Sequence, residues 1–433
     1  MSLIKYINQS CRLSLFNKEL LLGLFLILFI LGIAIGFAYQ SYNDFRVFQV
    51  LLILSLCIWN SVTKPVIIAT SDAIFLIFIT IGTLFWQHHY FIVVDLLLIY
   101  LLYKTFQILK YQNTVAKSIV LLSLSMFLLL PLSIWDYLNT GKYHPLWYHF
   151  SLNIRVYDSY FFIMSVFSVW FYINEKKYKF CYLLFVFLAL LAVLLDGARS
   201  VTIAYTIFII FVSIIYRSIR WRLTAVYMSS WLVYLLINYS VSSSKTSVLR
   251  VLRESSSGRL DLWTNAYYCW TQHPIIGCGF YQLDYYKNLS AHPHNFYIQI
   301  LSETGLIGFS FLVFAISTII SRINWHYRSS YFAISALIAI GIDLAFSGVH
   351  VYPVTQIALL WLLIFLLKSP HFFHSQYFCY SEASEEYFKK YLSLTVYLII
   401  SIVYLFLFIT TSALEDLTMS MPPRFWINGY SLF

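Results

Sequence analysis

The sequence predicts an all-α, polytopic integral membrane protein with about 12 to 13 transmembrane helices and one larger loop on the outer side. Of its 433 residues, 61% are hydrophobic and only 11% are charged, a composition outside the range of soluble domains. Apolar runs of about 20 residues, the length that crosses a bilayer, recur along the whole chain. The basic residues stand in small groups between these runs, so the net charge of +10 reflects the positive-inside rule and does not predict nucleic-acid binding.

Hydropathy predicts the individual spans. The first run follows Lys5, Arg12 and Lys18, but it is too long for a signal-peptide core and no small-residue cleavage site follows it, so we expect an uncleaved helix. The last run is either a thirteenth span or an interfacial helix, which leaves the side of the C-terminus open. The predicted spans are 20–39, 47–63, 66–87, 90–109, 118–137, 158–174, 180–195, 200–216, 223–239, 296–320, 331–348, 354–368 and 392–413.

The charge pattern also predicts the orientation and the division of the chain. With the N-terminus inside, most of the 28 Lys and Arg residues fall in inner segments. Residues 1–238 then form nine transmembrane helices, 239–295 form an outer loop with an amphipathic helix, and 296–433 form the remaining transmembrane helices. Of the 6 cysteines, only Cys269 and Cys278 share this loop, so a disulfide between them is one possibility there.

The first candidate site is the tight turn "DGAR" between the predicted helices 180–195 and 200–216. An arginine at this depth is costly unless it pairs with an acidic group or faces water. Arg199 could therefore pair with Asp196 or reach a lipid phosphate in a purely structural role. The alternative is that it binds an anionic substrate.

The second candidate site lies in the outer loop. After a Ser-Ser-Ser-Gly break, Leu260, Trp263, Tyr267 and Trp270 recur at helical spacing and predict an amphipathic helix that can lie on the membrane. Arg259 stands at the N-terminus of this helix, where backbone N–H groups already favour an anion. Its planar guanidinium suits a phosphate group. A solvated basic loop is the alternative interpretation.

The third candidate site is the stretch "AHPHNFYIQILSETG" in front of a long apolar run. His292 and His294 could begin a metal site with Asp284, but Glu303 lies nine positions after His294 and would point to the opposite face of a helix. A general base fits better, because an unperturbed histidine pKa of about 6.5 leaves much of the imidazole neutral. A hydrogen-bonded interfacial histidine is the structural alternative. Together the three features predict a site just outside the bilayer for an anionic, amphipathic substrate presented from lipid.

The same residues resemble the signature of the O-antigen ligase and polymerase superfamily. That signature has an arginine followed by a tryptophan, a P-x-x-G-x-G turn, an H-x-H-N element and an E-x-G-x-x-G element. The "GARS" turn is similar to the family's short arginine loop, and the strong match covers about 255–312. The turn and the last element read here as Pro274, Gly277, Gly279 and as Glu303, Gly305, Gly308.

The resemblance implies a glycosyltransferase of the GT-C kind in a bacterial inner membrane, with its active site facing the periplasm. Such enzymes take a glycan from undecaprenyl diphosphate without a metal, nucleotide or other cofactor. Arg199 and Arg259 match the arginines that hold the diphosphate, and His294 matches the base that faces the acceptor. Besides the donor and the acceptor, the resemblance implies contact with membrane lipids and no binding of nucleic acid. Additional candidate substrate-binding residues, by position, are His292, Asn295, Arg250, Arg253, Trp263 and Tyr281.

The acceptor stays open at this point. We favour a ligase that transfers the glycan to lipid A-core. The alternatives with the same donor are a polymerase, whose acceptor is a second lipid-linked glycan, and an oligosaccharyltransferase, whose acceptor is a pilin-like protein. A transporter for lipid-linked glycans is an alternative from another class. It would use Asp72, Asp95 and Asp343 as ion sites, but it gives His294 no role, and the chain lacks transporter-type repeats.

Overall fold

A computed structural model describes residues 50–51, 55, 68–86, 89–108, 112–146, 155–242, 258–279, 283, 292–368 and 387–410. These residues form helices joined by short connections and contain no β-strand, which confirms the all-α class. The helices are α1 (Thr70–Phe85), α2 (His89–Ile108), α3 (Gln112–Ser123), a 3-10 segment (Leu124–Leu129), α4 (Leu130–Thr140), α5 (Arg155–Asn174), α6 (Lys179–Asp196), α7 (Arg199–Ile215), α8 (Arg220–Ser242), α9 (Arg259–Gln272), α10 (Phe296–Ser321), α11 (Arg328–Phe346), α12 (Pro353–Lys368) and α13 (Tyr387–Thr410).

Five of the described helical stretches are long and apolar enough to cross a membrane: Asn113–Thr140, Val156–Asn174, Lys179–Asp196, Phe296–Ser321 and Arg328–Phe346. Shorter apolar helices occupy most of the other predicted spans. The protein is therefore a multi-pass membrane protein. The predicted spans 20–39 and 47–63 lie almost entirely outside the described residues.

The predicted span 118–137 is a helix with a change of winding in its middle. Between α3 and α4 the chain forms a tighter 3-10 segment over Leu124–Leu129. Pro131 stands in the first turn of α4. Because proline lacks the amide donor and its ring clashes with the carbonyl four residues earlier, it disfavours regular α-helical winding in this segment.

Helix α5 forms the centre of the bundle and packs against α3, α6, α7, α11 and α12. Almost all of its side chains are buried by protein. The polar groups inside this core find partners across helices, as the Tyr205 hydroxyl does with Ser165 at 2.5 Å and Tyr160 with Ser123 at 2.8 Å. Such pairing is expected where no water is available.

Helices α1 and α2 are joined by the buried ion pair between Asp72 and Lys104. The Asp72 carboxylate also accepts a hydrogen bond from the Ala69 amide at the start of α1, at 2.7 Å. Helix α13 packs along α2, and the Ser393 hydroxyl near its start accepts a bond from the Ile68 amide. Since Ile68 just precedes α1, helices α1 and α13 begin at the same end of the bundle. This arrangement favours the interpretation of α13 as a further span.

Candidate functional site

The first candidate arginine, Arg199, stands in the turn between α6 and α7. Gly197 ends α6 in the left-handed conformation (φ 74°), and its amide bonds to the Leu194 carbonyl. Ala198 then caps α7, so that Arg199 is its first residue and is half-buried. The predicted tight turn is present. Arg199 therefore adds its guanidinium to the free amide groups of a helix N-terminus.

The second candidate arginine has the same position on a different helix. Gly258, at φ 73°, precedes α9, and Arg259 is the first residue of this helix. A helix thus occupies the predicted position, but Trp263 and Trp270 of the predicted apolar stripe are half-buried and bond to other parts of the protein. Leu262 and Ala266 face protein and are buried, whereas Leu260 and Tyr267 are both 61% exposed. The exposed apolar side remains available for the membrane contact that the sequence predicts.

A buried carboxylate connects the two arginine-bearing helices. Asp343, near the end of α11, is 2% exposed and lies close to the hydroxyl groups of Ser159 on α5, Ser200 on α7 and Ser347. Arg259 interacts electrostatically with this carboxylate. Since Ser200 follows Arg199 directly, the starts of α5, α7 and α9 and the end of α11 meet around Asp343. The sequence had indicated Asp343 only as a possible ion site of a transporter, and the three serines carry no sequence signal.

Trp263 joins the arginine on α9 to the histidine pair. It lies one turn after Arg259, on the same face of the helix. Its indole N–H donates a 3.0 Å hydrogen bond to the carbonyl of Pro293, the residue between His292 and His294. Its ring also packs against Phe346 of α11, with 6.2 Å between ring centroids. The arginine and the histidines are therefore held at the same end of the bundle.

The histidine pair precedes α10 in a fixed backbone conformation. His294 has a positive φ of 51°, which is uncommon for a residue other than glycine. The next residue, Asn295, caps α10, because its side chain accepts hydrogen bonds from the amides of Tyr297 and Ile298 at 3.0 and 3.1 Å. His292 is buried (4% exposed), whereas His294 is half-buried, and their ring centroids are 4.2 Å apart.

The P-x-x-G-x-G turn and the E-x-G-x-x-G element form one interlocked contact. The amides of Cys278 and Gly279 donate to the carbonyls of Ser302 and Glu303 at 2.9 and 3.0 Å. In the other direction, the amide of Leu306 donates to Pro274 at 2.9 Å, and that of Ile307 donates to Ile275 at 3.2 Å. These bonds cross where α10 is kinked at Gly305, which has non-helical dihedral angles (φ 63°, ψ −163°). The kink frees backbone groups of α10 that the turn then satisfies.

Two tryptophans and a disulfide hold the same turn. The indole N–H groups of Trp86 and Trp270 donate to the carbonyls of Ile276 and Pro274, at 2.9 and 3.1 Å. Cys269 on α9 and Cys278 in the turn form a disulfide, with 6.1 Å between their Cα atoms. The disulfide possibility that the sequence left open is therefore realised in the structure. Helix α9, the turn and α10 form one connected unit.

A chain of polar side chains extends from the histidine segment along α10. Gln299 bonds to His350 at 2.8 Å through its side-chain oxygen and donates to the Glu303 carboxylate at 3.4 Å. His350 belongs to the loop between α11 and α12, and its ring packs against Phe296. Sequence reasoning missed His350 because it stands alone between apolar residues. Within the described ranges, no group of three His, Cys, Asp or Glu side chains has a metal-binding arrangement.

The structure thus brings Arg199, Arg259, His292, His294 and Trp263 to one end of the bundle. Asn295 lies there as well, with the role of a helix cap. Arg250, Arg253 and Tyr281 lie outside the described residues, as does the side chain of Asp95, so these assignments remain predictions.

Fold and site together define a multi-pass helical membrane protein with arginines and histidines gathered at one end of its bundle. A family model described as O-antigen ligase matches residues 184–313. The matched range extends from α6 into α10 and includes both candidate arginines and both histidines. This match confirms the resemblance to the O-antigen ligase superfamily that the sequence shows in this part of the chain. Among curated proteins, none matches the chain.

Members of this family are glycosyltransferase-like enzymes, ligases and polymerases, which use lipid-linked glycans in a membrane. An enzymatic role of this general kind is therefore supported for the chain. Asp343 and the loop between α11 and α12, which contains Gly348 and His350, lie beyond the matched range.

Proposed function

We propose that the protein is a ligase that moves a glycan from undecaprenyl diphosphate to lipid A-core, at the periplasmic face of a bacterial inner membrane. The observation that carries this proposal is the connection through Trp263. This residue lies one turn from Arg259 and bonds to Pro293 beside His294. A group suited to phosphate and a group suited to proton transfer are therefore held together at one end of the bundle.

In the proposed reaction, the acceptor hydroxyl oxygen attacks the anomeric carbon of the donor sugar. Neutral His294 takes the hydroxyl proton, and the bond between the anomeric carbon and the diphosphate oxygen breaks. Its electron pair leaves with the diphosphate. One displacement of this kind inverts the anomeric configuration. General base catalysis contributes about 10²- to 10⁴-fold to such a rate.

The two arginines stabilise the charge that develops on the leaving diphosphate. Each is the first residue of a helix, so its guanidinium acts together with free backbone amides. Diphosphate is a good leaving group and needs no proton from the enzyme. We therefore assign Arg199 and Arg259 to charge stabilisation, and we expect Asp343 to keep the Arg259 side chain in place before the donor arrives.

The candidates with the same donor chemistry are a polymerase and a protein oligosaccharyltransferase. The roles proposed for the arginines and for His294 concern the donor and the proton transfer, which are the same for all three acceptors. The transporter alternative is less well supported, because Asp72 is used in an ion pair with Lys104 and in the capping of α1.

The test is complementation of a strain that lacks the gene, with wild type, His294→Ala, Arg259→Lys or His326→Ala. His326 is exposed in the loop between α10 and α11 and serves as the matched control. Lipopolysaccharide, lipid-linked glycan and glycoproteins are measured side by side, and membrane insertion is checked by immunoblot. We expect His294→Ala to abolish transfer. Arg259→Lys should be almost as damaging, because a point charge cannot replace the planar fork.

The distribution of glycan identifies the acceptor. Loss of long glycan from lipopolysaccharide, with accumulation of lipid-linked polymer, supports the ligase. Collapse to single repeat units identifies a polymerase, and loss of sugar from a protein alone identifies an oligosaccharyltransferase. Full complementation by an inserted His294→Ala variant would overturn the catalytic assignment and favour transport.

A further inference from the structure

The loop 347–352, between α11 and α12, has a fixed conformation against the histidine segment. The Val351 amide donates to the Gly348 carbonyl at 2.9 Å, and the Thr355 hydroxyl bonds to the Val349 carbonyl. The side-chain amide of Gln356 donates to the His350 carbonyl at 3.2 Å. Val349 and Val351 are both almost completely buried. This loop therefore forms a rigid surface against which neighbouring side chains can pack.

Gly348 of this loop lies directly against the ring of His292. A Cβ atom on Gly348 would stand 2.4 Å from His292 Nε2 and 3.2 Å from its Cδ2. It would also stand 3.1 Å from Cε2 of Tyr352, whose ring packs edge-on against His292. His292 is only 4% exposed, so its ring has little room to move aside. A side chain at position 348 would therefore force the imidazole to move from where it now lies.

The His292 ring also contacts the ring of His294, at 4.2 Å between centroids. The backbone around His294 is fixed by the Trp263 bond to Pro293 and by the Asn295 cap. With the backbone fixed, the direction of the His294 imidazole depends on rotation about its side-chain bonds. The buried His292 ring blocks part of that rotation.

We propose that Gly348 is a positioning residue for the transfer reaction. Because Gly348 has no side chain, the His292 ring can lie against the loop 347–352. In that place the His292 ring holds the His294 imidazole in its reactive direction. The inference rests on the proposed role of His294 as the base. It adds a third segment to the site, outside the matched range 184–313. A packing role for Gly348 in overall stability alone would couple it to His292 in the midpoint of thermal unfolding, but not in the kcat of the folded protein.

A double-mutant cycle separates these two roles. The variants are Gly348→Ala, His292→Ala and the double variant, with His294→Ala as the test of the base itself. Each purified full-length protein is supplied with lipid-linked glycan extracted from the gene-deletion strain and with lipopolysaccharide core from the same strain. The kcat, the KM for the acceptor, the affinity for undecaprenyl diphosphate and the midpoint of thermal unfolding are measured.

We expect Gly348→Ala to lower kcat by about 10- to 100-fold, because small misplacements of a reacting group have effects of this size. Affinity for undecaprenyl diphosphate should stay within about twofold, since the arginines are untouched. In the His292→Ala background, Gly348→Ala should change kcat by less than about twofold, because the space left by the imidazole accepts the methyl group. Gly341→Ala is the matched control: its Cβ would approach only the Tyr297 hydroxyl, at 3.1 Å.

Equal loss of kcat in both backgrounds would overturn the positioning role. So would a loss of activity that only follows a loss of folded protein. If Gly348→Ala fails to accumulate in membranes, the double variant decides. The proposal is supported if the double variant accumulates to the level of His292→Ala alone, and if His292→Ala itself has a reduced kcat and an unchanged diphosphate affinity. It is overturned if both Gly348→Ala and the double variant fail to accumulate. An active His294→Ala protein would instead refute the proposed function, which distinguishes the two failures.

Discussion

Gly277 and Gly305 face each other across the contact between the turn 274–279 and helix α10, and neither position has room for a side chain. A Cβ on Gly277 would lie 2.4 Å from the Glu303 carbonyl carbon, and a Cβ on Gly305 would lie 2.4 Å from that of Ile275. Both residues also have positive φ. These two signature glycines therefore serve a backbone contact that shapes the site, and they need no direct role in the chemistry.

The first prediction concerns these glycines. Gly305→Ala and Gly277→Ala should destabilise the protein by about 2 kcal/mol or more, because a methyl group meets backbone that cannot rotate away and the dihedral angles of Gly305 are nearly restricted to glycine. Gly258→Ala is the matched control, since Gly258 also has positive φ but a Cβ atom added there would have open space within 4 Å. Fluorescence-detected gel filtration after a heating series measures the folded fraction. Equal melting of all three variants would contradict the prediction.

The second prediction concerns Asp343. Asp343→Asn should lower transfer at least about tenfold, which corresponds to about 1.4 kcal/mol, because a neutral amide no longer balances the charge of Arg259. The change keeps the side-chain volume, so insertion should be normal. Asp136→Asn is the control, since its carboxylate forms a solvent-accessible pair with His144 at 2.9 Å. Transfer at the wild-type rate by an inserted Asp343→Asn protein would contradict the electrostatic role of Asp343.

The third prediction concerns the connection between α9 and the histidines. Trp263→Phe keeps an aromatic ring against Phe346 but loses the bond to Pro293. A neutral hydrogen bond contributes about 0.5 to 1.5 kcal/mol, so transfer should fall about 2- to 10-fold. Trp221→Phe, which changes a 78% exposed tryptophan at the opposite end of the bundle, should have no effect. The measurement is the initial rate of glycan transfer in membranes that contain equal amounts of each variant. Equal rates for both variants would show that the bond does not hold the site together.

The fourth prediction concerns the disulfide. Cys269→Ser, Cys278→Ser and the double variant should be destabilised to the same degree, by about 2 to 3 kcal/mol, since each opens the same short loop. Reductant should lower the melting temperature of the wild type to that of the variants. Cys181→Ser is the control, because this cysteine is free. A wild-type protein that is insensitive to reductant, with both thiols open to alkylation, would contradict the bond.

The helices could be predicted from sequence because a bilayer demands a minimum length and an apolar composition. Which helices pack together could not be predicted, since residues that face lipid and residues that face other helices are both apolar. The sequence therefore carries no sign that α5 is central or that α11 lies beside α7. The interruption between α3 and α4 was visible only as Pro131.

The candidate site also contains some residues that could be predicted from the sequence and others that could not. Arginines and histidines were predicted because charged or polar groups beside a membrane are costly and so stand out. The serines around Asp343 were missed, because small residues without periodic spacing carry no such signal. The loop 347–352 was missed because its one histidine stands alone between apolar residues. Asn295, which stays a predicted binding residue, also caps α10 with its side chain. An asparagine directly before a helical run could have indicated that role.

The kink at Gly305 divides α10 into two parts with different surroundings. Residues 299, 302, 303 and 304 are buried in protein, whereas Leu306, Ile307, Phe311 and Phe314 expose apolar side chains, as expected for contact with acyl chains. Between Asn295 and Gly305 the helix rises at most about 15 Å. The part of α10 before the kink therefore sets the distance between His294 and the exposed apolar side chains that follow Gly305. Under the proposed function, a donor that is anchored by its lipid tail would meet His294 at one fixed distance from these side chains, whatever the length of the glycan that extends beyond it.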